Sequence, residues 1–192
     1  MSKGRTDVST VHQLKATIVG TKPPVWRRVV VSSDSTLAEL HDVLQAAFGW
    51  WDCHLHEFEF GRVRYGIDDG EGWGDPPKDE QRAVLSRVAK KGSSFVYVYD
   101  FGDDWRHKVV VEGIVEAVPG VSYPTCVGGR RACPPEDCGG VWGFHQMLDV
   151  LADPTDEEHD SMLEWVGGAF DPAAFDPADF GHRVELGELA EL

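Results

Sequence analysis

The chain has 192 residues, 33 of them acidic and 18 Lys or Arg, for a net charge of −15. Affinity for a nucleic-acid duplex rests on cations that displace counterions from phosphates, so this balance speaks against duplex DNA as a partner. Apolar residues at 42%, with seven Trp and nine Phe, exclude a disordered chain, and no run approaches the roughly 20 apolar residues of a membrane helix. The basic runs Arg27-Arg28, Lys90-Lys91, Arg106-His107-Lys108 and Arg130-Arg131 are short and dispersed. The start MSKGRTDVST lacks an apolar leader segment, so the expectation is a soluble, cytoplasmic protein. It is expected to form one domain over 11–180, with a disordered tail at 1–10 and a flexible acidic tail at 181–192.

Val11–Val19 alternates, with Leu14, Ala16 and Ile18 on one face, and predicts a strand. The turn GTKPP leads to a second β-rich run at Val25–Val31, so the two form a hairpin. Thr36-Leu37-Ala38-Glu39 fits a capping box, in which the Thr hydroxyl takes the third amide and the Glu reaches back. Leu37, Leu40, Val43, Leu44, Ala47 and Phe48 follow at helical spacing, and Gly49 supplies the stop. CHLHEFEF, Cys53–Phe60, predicts a strand that puts His54, His56, Phe58 and Phe60 on one face. Residues 66–80 form an acidic loop rich in Gly and Pro, and Val84, Leu85 and Val88 predict a short helix.

Ser94–Phe101 and Trp105–Val118 predict two strands joined by the tight turn FGDDW, with Phe101 and Trp105 packed inward. A Cys-rich loop follows. Two helices are then expected, one at Gly143–Ala152 and one opened by a capping box at Thr155–Glu158 and ended near Gly167-Gly168. Phe170 and Phe175 read as aromatic anchors in an irregular segment. Strands before residue 120 and helices after 140 predict an α+β fold: an antiparallel sheet packed on one N-terminal-half helix, with a helical C-terminal part.

Several phrases occur together: KPPVWRRV, TLAELHDVLQAAFGW, HLHEF, YDFGDDWRH, ACPPEDCGGVWG and EWVGGAFDPAAFD. In these, and in their order from about Val11 to Asp179, the chain resembles the plasmid pRiA4b ORF-3-like family. The resemblance implies a compact α+β domain. It also implies an association with mobile elements, since some members are labelled passenger proteins of insertion elements. It supplies no catalytic residues, and the chain carries no serine-recombinase pattern that would support the resolvase label given to others.

The sharpest chemical feature is CVGGRRACPPEDCGG. Cys126, Cys133 and Cys138 are spaced C-x6-C-x4-C, without the tight C-x2-C pair usual in structural zinc sites. A structural zinc would therefore need a ligand from elsewhere, and Cys53, His54 and His56 are the donors expected, the two imidazoles roughly 6.5 Å apart along one strand face. The competing readings are that the thiols are small buried hydrophobes in a loop shaped by Gly and Pro, or that they are redox-active. In and around the FGDDW turn, Asp100, Asp103, Asp104 and His107 could bind a hard cation or act as acid and base, yet Asp and Gly are also what a tight turn requires. Of the tryptophans, Trp73, between glycines in the acidic loop, is expected exposed, and the others are expected in the core.

Three functional expectations follow. The first is a non-enzymatic binding or adaptor domain with a protein partner, met through Trp73 and the Asp103, Asp104 and Trp105 turn. The alternative is a metal-dependent hydrolase or nucleic-acid-processing enzyme using His54, His56, Asp103, Asp104 and His107. A third is that the acidic surface mimics DNA toward a basic partner.

Overall fold

The computed structural model describes residues 9–68, 70 and 75–180; Trp73, the tail at 181–192 and all but the last residues of the tail at 1–10 lie outside them. The elements in chain order are β1 (Thr10–Ile18), β2 (Trp26–Ser32), α1 (Leu37–Phe48), β3 (His56–Phe60), β4 (Val63–Gly66), β5 (Lys78–Asp79), a 3-10 turn (Glu80–Arg82), α2 (Leu85–Val88), β6 (Ser94–Tyr99), β7 (Trp105–Glu116), β8 (Thr125–Arg130), α3 (Gly140–Ala152) and α4 (His159–Trp165). The strands make one sheet in the order β5-β4-β3-β6-β7-β1-β2-β8, antiparallel except for the β4–β5 pair. Mixed α+β architecture is thus what the sequence pattern predicts.

Local chemistry explains the best-formed elements. The β1–β2 hairpin pairs Val11 with Ser32 and Thr17 with Trp26. Along β7 side chains alternate inward and outward, and Trp105, His107, Val109 and Val111 are all fully buried. At α1 both halves of the capping box form: the Glu39 amide donates to Thr36 Oγ1 at 3.2 Å, and the Thr36 amide donates to Glu39 Oε2 at 2.8 Å. Gly49 ends the helix in the left-handed region, φ 81°, where a Cβ would be strained. Leu37, Leu40, Val43, Leu44 and Phe48 join Leu14, Ile18, Val29, Phe58, Tyr97 and Trp105 in one core.

Arg27 is stitched into this core instead of facing water. Its Nε donates to Ala47 O at 2.9 Å, Nη1 to Trp26 O and Arg130 O, and Nη2 to Arg131 O and Cys133 Sγ. Phe175 stacks on the guanidinium at 4.5 Å, and Phe170 meets Phe144 edge-on, so both aromatic anchors of the C-terminal segment hold.

Other expectations need correction. The third strand starts at His56, not Cys53, because its partner β6 ends at Tyr99 opposite His56 and the chain then turns away. His54 therefore lies outside the strand. Cys126 is a strand residue on β8, not part of a loop. The β4 and β5 strands are short additions at the sheet edge. No capping box forms at Thr155: Asp153 Oδ1 takes both the Thr155 amide and its hydroxyl, and α4 begins only at His159. Phe101 is 54% exposed while Trp105 is fully buried, because only Trp105 falls on the inward face of β7. Trp142 and Trp165, at 77% and 51% exposed, and Trp51 also sit outside the core.

Candidate metal centre

Helix α1 carries two polar side chains on its otherwise apolar inner face, His41 and Gln45, one turn apart and both buried. Both reach the hydroxyl of Tyr97 on β6, His41 Nδ1 at 2.8 Å and Gln45 Nε2 at 2.9 Å. The chain leaving α1 turns back, and the Asp52 amide donates to Gln45 Oε1. That contact fixes the Gln45 amide: its oxygen is occupied, so its NH2 donates to Tyr97. The Tyr97 proton is then directed at His41 Nδ1. His41 in turn donates from Nε2 to Asp52 Oδ1 at 2.9 Å. Asp52, its carboxyl held below the ordinary range chiefly by this hydrogen bond, stays ionised.

His56, first residue of β3, stacks on His41 with 3.5 Å between ring centroids. Its Nε2 donates to the Glu80 carboxylate at 3.0 Å, an ion-pair partner from the 3-10 turn whose side chain is nearly as buried as the imidazole. Its Nδ1 has no hydrogen-bond partner among the described residues. Ligand atoms of His41, Asp52 and His56 lie within 4.8 Å of one another. The three line a cavity of about 410 Å³, together with Asp42, His54, Leu55, Ile67 and Glu80. Burial raises the Asp42 carboxyl above its ordinary value.

Two imidazoles and a carboxylate suit zinc and other divalent transition metals. A ligating imidazole is oriented by a partner oxygen at its other ring nitrogen, and Tyr97 beside His41 Nδ1 and Glu80 beside His56 Nε2 hold those places here.

The residues singled out from the sequence are dispersed. His54 and His56 do not share a cluster. His54 Nε2 lies 3.1 Å from Asp137 and 3.7 Å from Asp100, in a second group of potential donors. Neither group contains a cysteine. Cys126 and Cys133 line one cavity, beside Arg27, and Cys138 another. Burial raises the Cys126 thiol, and burial with the nearby Asp103 charge pushes Cys138 up to about 12, so both are protonated at neutral pH. Asp103 Oδ2 accepts the Gly139 amide at 3.1 Å, tying the turn to the Cys-rich segment. Gly140 passes so close to the Asp103 carbonyl that no Cβ would fit. Asp104 pairs with Arg106. His107 stands apart among Phe48, Trp50 and Tyr97, its Nδ1 on Tyr97 O at 3.2 Å and its Nε2 without a partner.

His41, Asp52 and Glu80 were not read from the sequence. One signal was present: His41 and Gln45 interrupt the apolar stripe of α1 at adjacent turns.

The fold and site define a mixed α+β protein in which two buried histidines meet an exposed carboxylate at a cavity. The model of the plasmid pRiA4b ORF-3-like proteins matches residues 10–179, and the chain belongs to that family. It is 45% identical over 181 residues to the uncharacterised protein y4hQ of Sinorhizobium fredii (strain NBRC 101917 / NGR234), covering 93% of this chain and 92% of the relative. It also resembles the crystal structure of MM3350, a protein of unknown function from Methanosarcina mazei Go1. That match has a TM-score of 0.81 and 41% identity, over 89% of this chain and 97% of the other.

Proposed function

We propose that the chain is a zinc-type metal-binding protein with hydrolytic capability, its metal held by His41, Asp52 and His56. The observation that carries this reading is the convergence of those three donors on the wall of an open cavity. Three protein ligands leave a coordination position for water, the arrangement of catalytic rather than structural zinc. A metal so placed acidifies bound water and polarises a carbonyl. Tyr97 and Glu80 hold the imidazoles in register, and Leu55 and Ile67 give the cavity an apolar wall. The hydrolase alternative thus keeps His56 from the sequence reading but replaces His54, Asp103, Asp104 and His107 with His41 and Asp52.

The test is titration of chelator-treated protein with Zn²⁺ and Co²⁺ by calorimetry and visible absorption. One metal per chain is expected, lost in Asp52→Ala and His56→Ala but retained in Cys133→Ser. Binding that survives both ligand variants would end this reading.

A second reading, an adaptor domain with a protein partner in the cytoplasm, draws support from a different place. Trp142 and Trp165 line a groove of about 490 Å³ between α3 and α4. Exposed tryptophans of this kind are the usual anchors of protein interfaces. Trp142→Ala abolishing a cross-linked complex would support it.

A further inference from the structure

We infer that the outer face of the sheet, across β8, β2, β1 and β7, is a docking surface for a single-stranded nucleic acid. The inference is independent of the metal-centre reading, whose residues lie on the α1 side of the sheet.

Basic residues far apart in sequence meet on this face. Leu14, Ile18, Val29 and Val109 join α1 in the core, so strand alternation turns Lys15 and Thr17 on β1, Trp26 and Arg28 on β2, and Lys108 and Val110 on β7 the other way. The register sets them in two rows. Arg130, Trp26, Thr17 and Lys108 are successive cross-strand neighbours, and Gly128, Arg28, Lys15 and Val110 form the next row. Residues directly opposed across antiparallel strands share a face, which places Arg130 beside Trp26. Glu112, in the bulge of β7, is the carboxylate that reaches these rows. It takes Arg28 in a bidentate pair, Nε to Oε2 at 2.6 Å and Nη2 to Oε1 at 3.0 Å. Lys15, Lys108 and Arg130 form no salt bridge among the described residues. Lys108 and Arg130 are exposed, and Lys15, Trp26 and Arg28 are half-buried. A chain of net charge −15 thus gathers four cations around one carboxylate on an open sheet surface.

That concentration calls for an anion, and the aromatic groups select its kind. Lys15 Nζ and the Arg28 guanidinium lie 4.6 and 5.1 Å from the centre of the Trp26 ring. The fork to Glu112 fixes the Arg28 plane beside it. On the other side stands Gly128, where a Cβ would already touch the outer edge of the Trp26 ring at 3.9 Å; glycine leaves that edge uncovered. Cations that follow phosphates, beside aromatic and guanidinium planes on which bases stack, are the means by which sheets bind single strands. A duplex is read by a helix, ribbon or arm that enters a groove, and this face offers a sheet surface instead. An acidic peptide would engage the cations and leave the Trp26–Arg28 platform without a role.

The test is fluorescence anisotropy on the full chain with four labelled probes: a short oligothymidylate, an oligouridylate of the same length, the matching DNA duplex and an oligoglutamate peptide. Both single strands should bind at micromolar concentration, because phosphates and base faces are common to the two. Affinity should fall roughly 20-fold between about 50 and 200 mM salt, as three free cations at about 0.7 each in the logarithmic slope require. Lys108→Glu and Arg130→Glu should each weaken binding at least fivefold, and Trp26→Ala likewise through lost stacking. Lys108→Gln and Arg130→Gln repeat the measurement at half the charge change, and thermal melts confirm that these surface variants stay folded. Lys78→Glu, an equal charge change on β5 at the far edge of the sheet, should leave binding within twofold. No single-strand binding at about 100 μM and low salt, binding indifferent to Lys108 and Arg130, or the duplex or oligoglutamate binding as tightly as the single strands overturns the inference.

Discussion

The imidazole rings of His41 and His56 lie face to face, 3.5 Å between centroids and 9° between planes. One comes from the inner face of α1 and the other from the first residue of β3. Each ring is turned to a carboxylate, Asp52 or Glu80.

The Tyr97 hydroxyl orients the His41 ring through its Nδ1 contact, so Tyr97→Phe should weaken zinc binding by roughly 10- to 100-fold, the usual cost of losing a group that orients a metal ligand. The same change leaves the Gln45 amide and His41 Nδ1 unpaired and should cost about 1–3 kcal/mol of stability. Calorimetry and urea unfolding, run side by side, separate the two effects. Unchanged zinc affinity would show that His41 needs no orienting hydroxyl.

His107 makes the fold acid-sensitive. Full burial lowers its pKa from 6.5 to about 4, so the folded chain resists a proton that the unfolded chain accepts. The stability is fully present above the unfolded value and is lost as the pH falls from 6.5 toward 4, about 3 kcal/mol in all. Burial shifts His12 in the same direction, and the Arg28-paired Glu112 adds a loss at lower pH still. Urea midpoints measured from pH 7 to 4 should fall, and His107→Phe should flatten the upper part of that fall. An equal slope in the variant would assign the acid sensitivity elsewhere.

Arg27 ties β2 to the end of α1 and to the chain after β8. Arg27→Ala strands the carbonyls of Ala47, Arg130 and Arg131 and removes the surface on which Phe175 stacks. The expected loss is about 3 kcal/mol or more. Arg27→Lys should recover little, because an ammonium cannot reproduce the fork that spans these acceptors. Chemical denaturation of both variants checks this, and a loss below about 1 kcal/mol would show that water replaces the guanidinium without penalty.

Trp105 and Trp142 should respond in opposite ways. Trp105 is fully buried in the core, so Trp105→Ala should cost about 3–5 kcal/mol. Trp142 is 77% exposed on α3, and Trp142→Ala should change stability by no more than about 0.5 kcal/mol. Thermal melts of the two variants give the comparison. A large loss at Trp142 would mean that the α3–α4 groove is closed in solution.

The sequence by itself determined the elements whose causes are local. A hydroxyl and a carboxylate three residues apart, followed by an apolar stripe and a glycine, define α1 from end to end. Alternation defines β1, β6 and β7, because a strand with one buried face must repeat every two residues. In the Cys-rich segment, closeness in sequence is not a common location in space. Cys126 is held in β8 by pairing with β2, and Cys138 sits before α3, so the thiols face different cavities. Only the tertiary structure decided the candidate site. The strand order β4-β3-β6 lays His56 beside the Tyr97 strand, the turn after α1 returns Asp52 to His41, and the 3-10 turn delivers Glu80 from a segment distant in sequence. Such convergence depends on long-range pairing and on which face of each element is buried, and no spacing along the chain records either.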